Sequence, residues 1–259
     1  MKLAMRNMRT ALGLEWYKLR RKRLFGMVLL LMLAEIAWGC TASGMSFSRH
    51  PEHAGWEPLL AMFASMNGLF MPIAAAVCVS RICDMEHKGN TWKLLLTLNA
   101  GRGALYAAKY VTASIIMTAA VLLQALAIAA FGAVNGLEQP VPLLLLLRFF
   151  AGTVLANMAV TAVQQWISLA VPNQAFALAL GMIGGFFGIV ADLMPRGVRA
   201  MLIWSSYTGF SPVTQTFAGE TAQFAVRDMG SLLPAMAGVA AAGAVIYLAG
   251  CFHVSRREG

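Results

Sequence analysis

Residues 15–44 read EWYKLRRKRLFGMVLLLMLAEIAWGCTASG, and this stretch decides the fold class. The basic residues Lys18, Arg20, Arg21, Lys22 and Arg23 give way at Leu24 to an apolar run ending at Gly44, in which Glu35 is the only charge. A run of that length is what an α-helix needs to cross roughly 30 Å of hydrocarbon while satisfying its own backbone hydrogen bonds. Further runs occupy Leu59–Ser80, Val111–Val134, Leu143–Val171, Ala175–Ala191 and Leu232–Phe252. Only Pro172-Asn173-Gln174 separates the fourth from the fifth. Proline removes a backbone donor and clashes with the preceding turn, so a tight hairpin is expected there. Composition agrees: 59% of the 259 residues are hydrophobic and 12% charged, against roughly 25% charged in a soluble domain. The expected fold is all-α and integral to a membrane, with six transmembrane helices.

The net charge of +9 takes its meaning from position, and position argues for a membrane rather than nucleic acid. Eight basic residues precede the first span, five lie between spans two and three, and two follow the last, which puts fifteen of twenty on one side. Arg49, Arg196, Arg199 and Arg227 fall on the other side, and Arg148 within a span. The positive-inside rule then puts both termini in the cytoplasm. The four cysteines (Cys40, Cys78, Cys83, Cys251) have no CxxC spacing, so no disulfide framework is expected.

Between the spans three segments carry pattern. Met8, Leu12, Trp16 and Leu19 recur on one face, which reads as an amphipathic helix on the inner leaflet; the alternative is a charged leader that only sets topology. Residues 86–110, EHKGNTWKLLLTLNAGRGALYAAKY, contain a short apolar helix through Trp92 and Leu98, a break at Asn99-Ala100-Gly101, and a restart at Gly103. A cytoplasmic helix parallel to the membrane follows from this. The long loop Asp192–Ser231 carries Pro195, Trp204, Tyr207, Phe210, Pro212 and Phe217, too apolar for a free loop. It predicts short or re-entrant helices on the external face, with a water-facing tip at Gly219-Glu220.

Enzymatic motifs are missing. The sequence has no GxxxxGK[ST] phosphate loop, no HExxH zinc motif and no GxSxG elbow. Its four histidines scatter over both sides, and the methionine stripe Met62, Met66, Met71 has no Cys or His in it, which favours packing over a metal path. Within the spans, Glu35 and Arg148 are the charges that need explaining, since a mid-bilayer charge costs roughly 2.5–3.5 kcal/mol on insertion scales. Glu35 either belongs to a polar path or is protonated or paired in the bundle, and Arg148 either joins that path or snorkels outward. Asn157, Gln164 and Gln165 suit helix-packing bonds more than substrate contacts, and Asn157 and Gln164 are the further candidates for a polar path with Glu35 and Arg148. Gly181, Gly184, Gly185 and Gly188 form overlapping small-xxx-small pairs that let two helices approach closely.

With EWYKLRRKR at 15–23, six spans, the 86–110 stretch and an extended loop before the last span, nearly the whole chain resembles the permease subunit of type 2 ABC transporters. The similarity is greatest to the small permeases of lantibiotic and bacitracin self-protection systems. The resemblance implies one transmembrane domain over residues 1–259 in a bacterial plasma membrane. It makes the segment after span two a coupling helix, with Glu86, Asn90, Trp92, Lys93, Leu95, Arg102 and Lys109 contacting a separate ATP-binding subunit. Where many relatives have a proline after that helix, this chain has Asn99-Ala100. Two such subunits would bind ATP and Mg, leaving this chain without a cofactor or catalytic site. A second permease chain, identical or paralogous, would pair through the glycines of span five. The substrate implied is an amphiphile such as a lantibiotic or other antimicrobial peptide, moved out of the membrane. The competing reading is a non-transporting immunity or sensor protein that binds a peptide or partner.

Overall fold

The computed structural model describes residues 2–20, 23–89, 102–137, 140–218 and 221–256. Helix α1 spans Lys2–Arg20, α2 Leu24–Arg49, α3 Trp56–Gly89, α4 Arg102–Val134, α5 Leu143–Ala170 and α6 Gln174–Ile189. Two short helices follow, α7 at Arg196–Met201 and α8 at Ser206–Gly209. Strands β1 (Val213–Ala218) and β2 (Thr221–Val226) pair antiparallel, with Val213 opposite Val226. Helix α9, Met229–Arg256, closes the chain.

Five of these helices, α2, α3, α4, α5 and α9, are long and apolar enough to cross a membrane, and the protein is a multi-pass membrane protein. The segment expected as the fifth of six spans forms the 16-residue α6. At 1.5 Å per residue that helix is about 24 Å long, short of the roughly 30 Å hydrocarbon layer. The break before it falls at Pro172 as the sequence predicts, and Asn173 caps α6 by accepting a hydrogen bond from the Ala175 backbone N–H at 3.0 Å.

Helix α3 is central and packs against α2, α4, α5 and α6, while α9 lies against α5 and α4. One cluster of buried side chains, built on Met32, Met71, Val79, Met117, Val121 and Val160, runs through the middle of the bundle. A second, with Trp56, Leu60, Phe63, Ile128 and Phe149, lies at the end of the bundle that carries the β-hairpin. The glycines of α6 are used inside the chain. A Cβ on Gly188 would overlap the Gly68 carbonyl, one on Gly185 would meet the Leu69 carbonyl, and one on Gly181 would meet Ala76. Pro72 lies one turn beyond Gly68 and cannot supply the N–H that its carbonyl would accept in an unbroken helix. Gly184 faces the Trp204 indole. The expected permease-permease seam is thus an intrachain seam between α3 and α6, because the close approach needed by glycine pairs is already made there.

Two further readings change. Of the expected stripe in α1, Leu19 is buried and Leu12 is partly buried, but Ala11 and Glu15 are buried beside them, while Trp16 is exposed and stacks on Phe25 with ring centroids 5.8 Å apart. The loop before α9 contains the expected short helices, but also a hairpin that the sequence reading left out. Part of this loop folds back onto the bundle: Ser205, Ser206, Tyr207, Thr208, Phe210 and Ser211 are buried. The backbone of Phe210 lies against Gly152, nine residues into α5 and so about 14 Å along its axis. The tip at Gly219-Glu220 lies outside the described residues.

Candidate functional site

In the interior of the bundle, three spans each contribute one polar side chain to a common cluster. Glu35 of α2, Asn67 of α3 and Gln124 of α4 are fully buried. The Gln124 amide nitrogen donates to Glu35 Oε1 at 2.9 Å and to Asn67 Oδ1 at 2.8 Å. Each group would be costly in hydrocarbon alone, and each lies where its helix faces the other two. The cluster is only partly satisfied: Glu35 Oε2, Asn67 Nδ2 and Gln124 Oε1 have no protein partner among the described residues. Buried polar atoms without partners are uncommon in stable cores, which sets this cluster apart from the surrounding apolar packing. Glu35 was singled out from sequence; Asn67 and Gln124 were not. The available signal was depth, since these three residues lie in the interior of three successive apolar runs.

A second polar contact ties the buried part of the loop before α9 to α5. Tyr207 donates its hydroxyl to Asn157 Oδ1 at 2.7 Å, and the Asn157 amide meets Met71 Sδ of α3 at 3.6 Å. Gln164, with its amide turned to suit its neighbours, donates to the Ala177 carbonyl at 3.2 Å and accepts from the Gly181 N–H at 3.3 Å. These two residues join helices, as side-chain amides commonly do where lipid offers no hydrophobic drive. Arg148 is half-buried near the start of α5, away from the Glu35 cluster in sequence depth.

At the hairpin end, charged residues pin the loop elements together. Arg199 of α7 pairs with Asp192 at 2.8 Å and donates to Thr208 Oγ1 at 3.1 Å. Arg227, just after β2, donates to the Gly209 carbonyl at 2.8 Å and to Thr214 Oγ1 at 3.2 Å. Burial, with Arg199 nearby, pushes the Arg227 guanidinium below its ordinary value.

At the opposite end, Lys109 of α4 is buried against α1. Its ammonium donates to both carboxylate oxygens of Glu15, at 3.1 and 3.2 Å, and to the Ile82 carbonyl of α3 at 3.2 Å. Lys109 therefore does not present its charge to a docking partner, which corrects its expected role as a surface coupling residue. Its neighbour one face over in α1, Glu15, absorbs that charge. Arg102 opens α4 and is half-buried, and Glu86 falls in the last turn of α3. Asn90, Trp92, Lys93 and Leu95 lie outside the described residues. What the structure brings together is the frame on both sides of that segment: α1, the end of α3 and the start of α4 are clasped at one point.

A family model described as ABC-2 family transporter protein matches residues 11–188, well over half of the chain and the whole of α2 to α5. No curated protein matches the chain.

Proposed function

We propose a substrate and a drive for this chain, which belongs to the ABC-2 transporter family and is a permease subunit of an ABC transporter that works with an ATP-binding subunit. It exports an amphiphile, such as a lantibiotic or other cationic antimicrobial peptide, from a bacterial plasma membrane. The whole chain forms one transmembrane domain with six crossings, α6 being the short one, and both termini face the cytoplasm where the basic residues gather. ATP and Mg are held by two copies of the partner, and this chain performs no covalent chemistry. A second permease chain completes the pathway.

The observation that carries the substrate class is a surface at the hairpin end. Glu52 and Glu57 border a depression of ≈ 640 Å³ whose opposite wall is Phe224 and Val226 of β2. The backbone and the His50 ring hold the Glu52 carboxyl below its ordinary value, so it is charged at neutral pH. Carboxylates beside the Phe224 ring and Val226 suit a positively charged amphiphile better than an anionic or sugar-like one. The drive follows from differential binding: closure of the ATP-binding subunits shifts the 86–109 segment, and the Glu15–Lys109 clasp transmits the movement to α1 and α4.

The test is protection of sensitive cells from a cationic lantibiotic by the chain expressed with its ATP-binding subunit. Glu52→Gln with Glu57→Gln should lower protection severalfold while membrane levels stay unchanged. Protection that persists when the ATP-binding subunit is absent would instead favour a non-transporting immunity protein.

A further inference from the structure

Between the buried part of the loop before α9 and α9 itself lies a half-open groove of ≈ 660 Å³. Its lining is mostly apolar, with Leu202, Ile203 and Phe210 from the loop and Val239, Ala242 and Ile246 from α9, and Ser205 and Ser206 are the hydroxyl groups among it. The α9 residues that line it, Ala235, Gly238, Val239, Ala242 and Ile246, follow helical spacing and form one continuous stripe. From Ala235 to Ile246 the stripe extends about 16 Å, close to half of the roughly 30 Å hydrocarbon thickness. Ala235, Gly238 and Ala242 are exposed, so the small residues leave the channel open along its length.

The mouth is cationic. Arg199 and Arg227 both border the groove, and no acidic side chain lines it among the described residues. Asp192 pairs with Arg199 and its charge also reaches Arg227, while among the described residues the hydrogen bonds of Arg227 go to neutral groups, the Gly209 carbonyl and Thr214 hydroxyl. A guanidinium has five N–H donors, and among the described residues two hydrogen bonds of Arg227 are made within the protein. Arg227 is half-buried, and a partly desolvated guanidinium is suited to bidentate bonding of a phosphate.

An apolar channel one leaflet deep beneath an arginine pair matches a molecule with an anionic phosphate head and an acyl tail. We propose that this groove binds an anionic phospholipid from the leaflet at the hairpin end, with its phosphate on Arg227 and Arg199 and an acyl chain along the Ala235–Ile246 stripe of α9. Such a lipid would brace the buried part of the loop against α9. The groove is separate from the Glu52–Glu57 surface and is proposed irrespective of what that surface binds.

The experiment is native mass spectrometry of the full chain released from detergent micelles, titrated separately with phosphatidylglycerol and phosphatidylcholine of matched chains. The expected result is tighter retention of phosphatidylglycerol by about tenfold or more, and loss of that preference in Arg227→Gln. Ala242→Phe, which fills the open channel on an exposed face, should weaken binding of the same lipid without lowering the melting temperature. Arg49→Gln, an exposed cation at the same end, should change nothing. Inorganic phosphate at millimolar concentration should fail to displace the lipid, whereas displacement would show a bare anion site and overturn the acyl assignment. Equal retention of the two lipids, or unchanged lipid binding in Ala242→Phe, would overturn the proposal. If Ala242→Phe instead splits a dimer while lipid binding is unaltered, the α9 face belongs to a second copy of the chain.

Discussion

Lys109 lies 94 positions from Glu15 in sequence and donates to both of its carboxylate oxygens, with the two side chains essentially sealed from solvent. The third donor contact, to the Ile82 carbonyl, adds α3 to the join. One ammonium thus holds the beginning of α4, the end of α3 and the N-terminal helix together at the end where the 90–101 segment emerges.

Breaking this pair from one side should be costly. Lys109→Met leaves a buried carboxylate whose other ion-pair partner among the described residues, Lys18, is 3.5 Å away and partly exposed, and removal of one member of a buried pair costs about 3–5 kcal/mol. Glu15→Gln with Lys109→Met removes both charges and should recover most of that loss. Thermal unfolding of the three proteins in micelles reads the difference.

The Glu35 cluster yields a different pattern. Glu35→Gln keeps a carbonyl acceptor for the Gln124 amide and should leave the melting temperature within a few degrees of the parent. Glu35→Leu removes one of the two acceptors of that amide and should cost about 1–2 kcal/mol, the scale of side-chain bonds between membrane helices. Gln124→Leu deprives both Glu35 and Asn67 and should cost more than Glu35→Leu. An identical loss in all three variants would mean the bonds contribute less than the packing.

The α3–α6 seam is tested by size. Gly188→Leu forces a side chain into the Gly68 carbonyl and should sharply reduce the yield of folded protein. Gly197→Leu, where a side chain meets nothing within 4 Å, should be tolerated. If Gly188→Leu folds normally and only dissociates permease pairs, the seam assignment is wrong.

Much of the architecture was legible because lipid imposes a strict rule. Apolar runs near 20 residues have few alternatives to a helix, and Pro172 and Asn173 mark a helix end and a cap whatever their surroundings. The α6 span was read too generously, since its apolar run continues into Ala191 while the helix stops at Ile189. The hairpin had a local signal in the paired runs VTQTFA and TAQFAV around Gly219-Glu220, but aromatic density drew attention to membrane-surface helices instead. Small-xxx-small spacing specifies a close helix contact and carries no information about which chain supplies the other helix. Lys109 was misread for a related reason: a lysine in a basic cytoplasmic segment looks solvent-facing until its distant partner, Glu15, is known. The Asn67–Gln124 contact likewise joins residues 57 positions apart, and only the fold brings them together.

The drive itself is most directly tested by purifying the tagged chain from membranes together with its ATP-binding subunit and measuring both subunit recovery and ATP hydrolysis. Trp92→Asp with Leu95→Asp, placed in the segment proposed to dock the ATPase, should leave the permease folded in the membrane while the ATP-binding subunit and its activity are lost from the eluate. Recovery of an intact, ATP-hydrolysing complex from that double variant would contradict the coupling assignment.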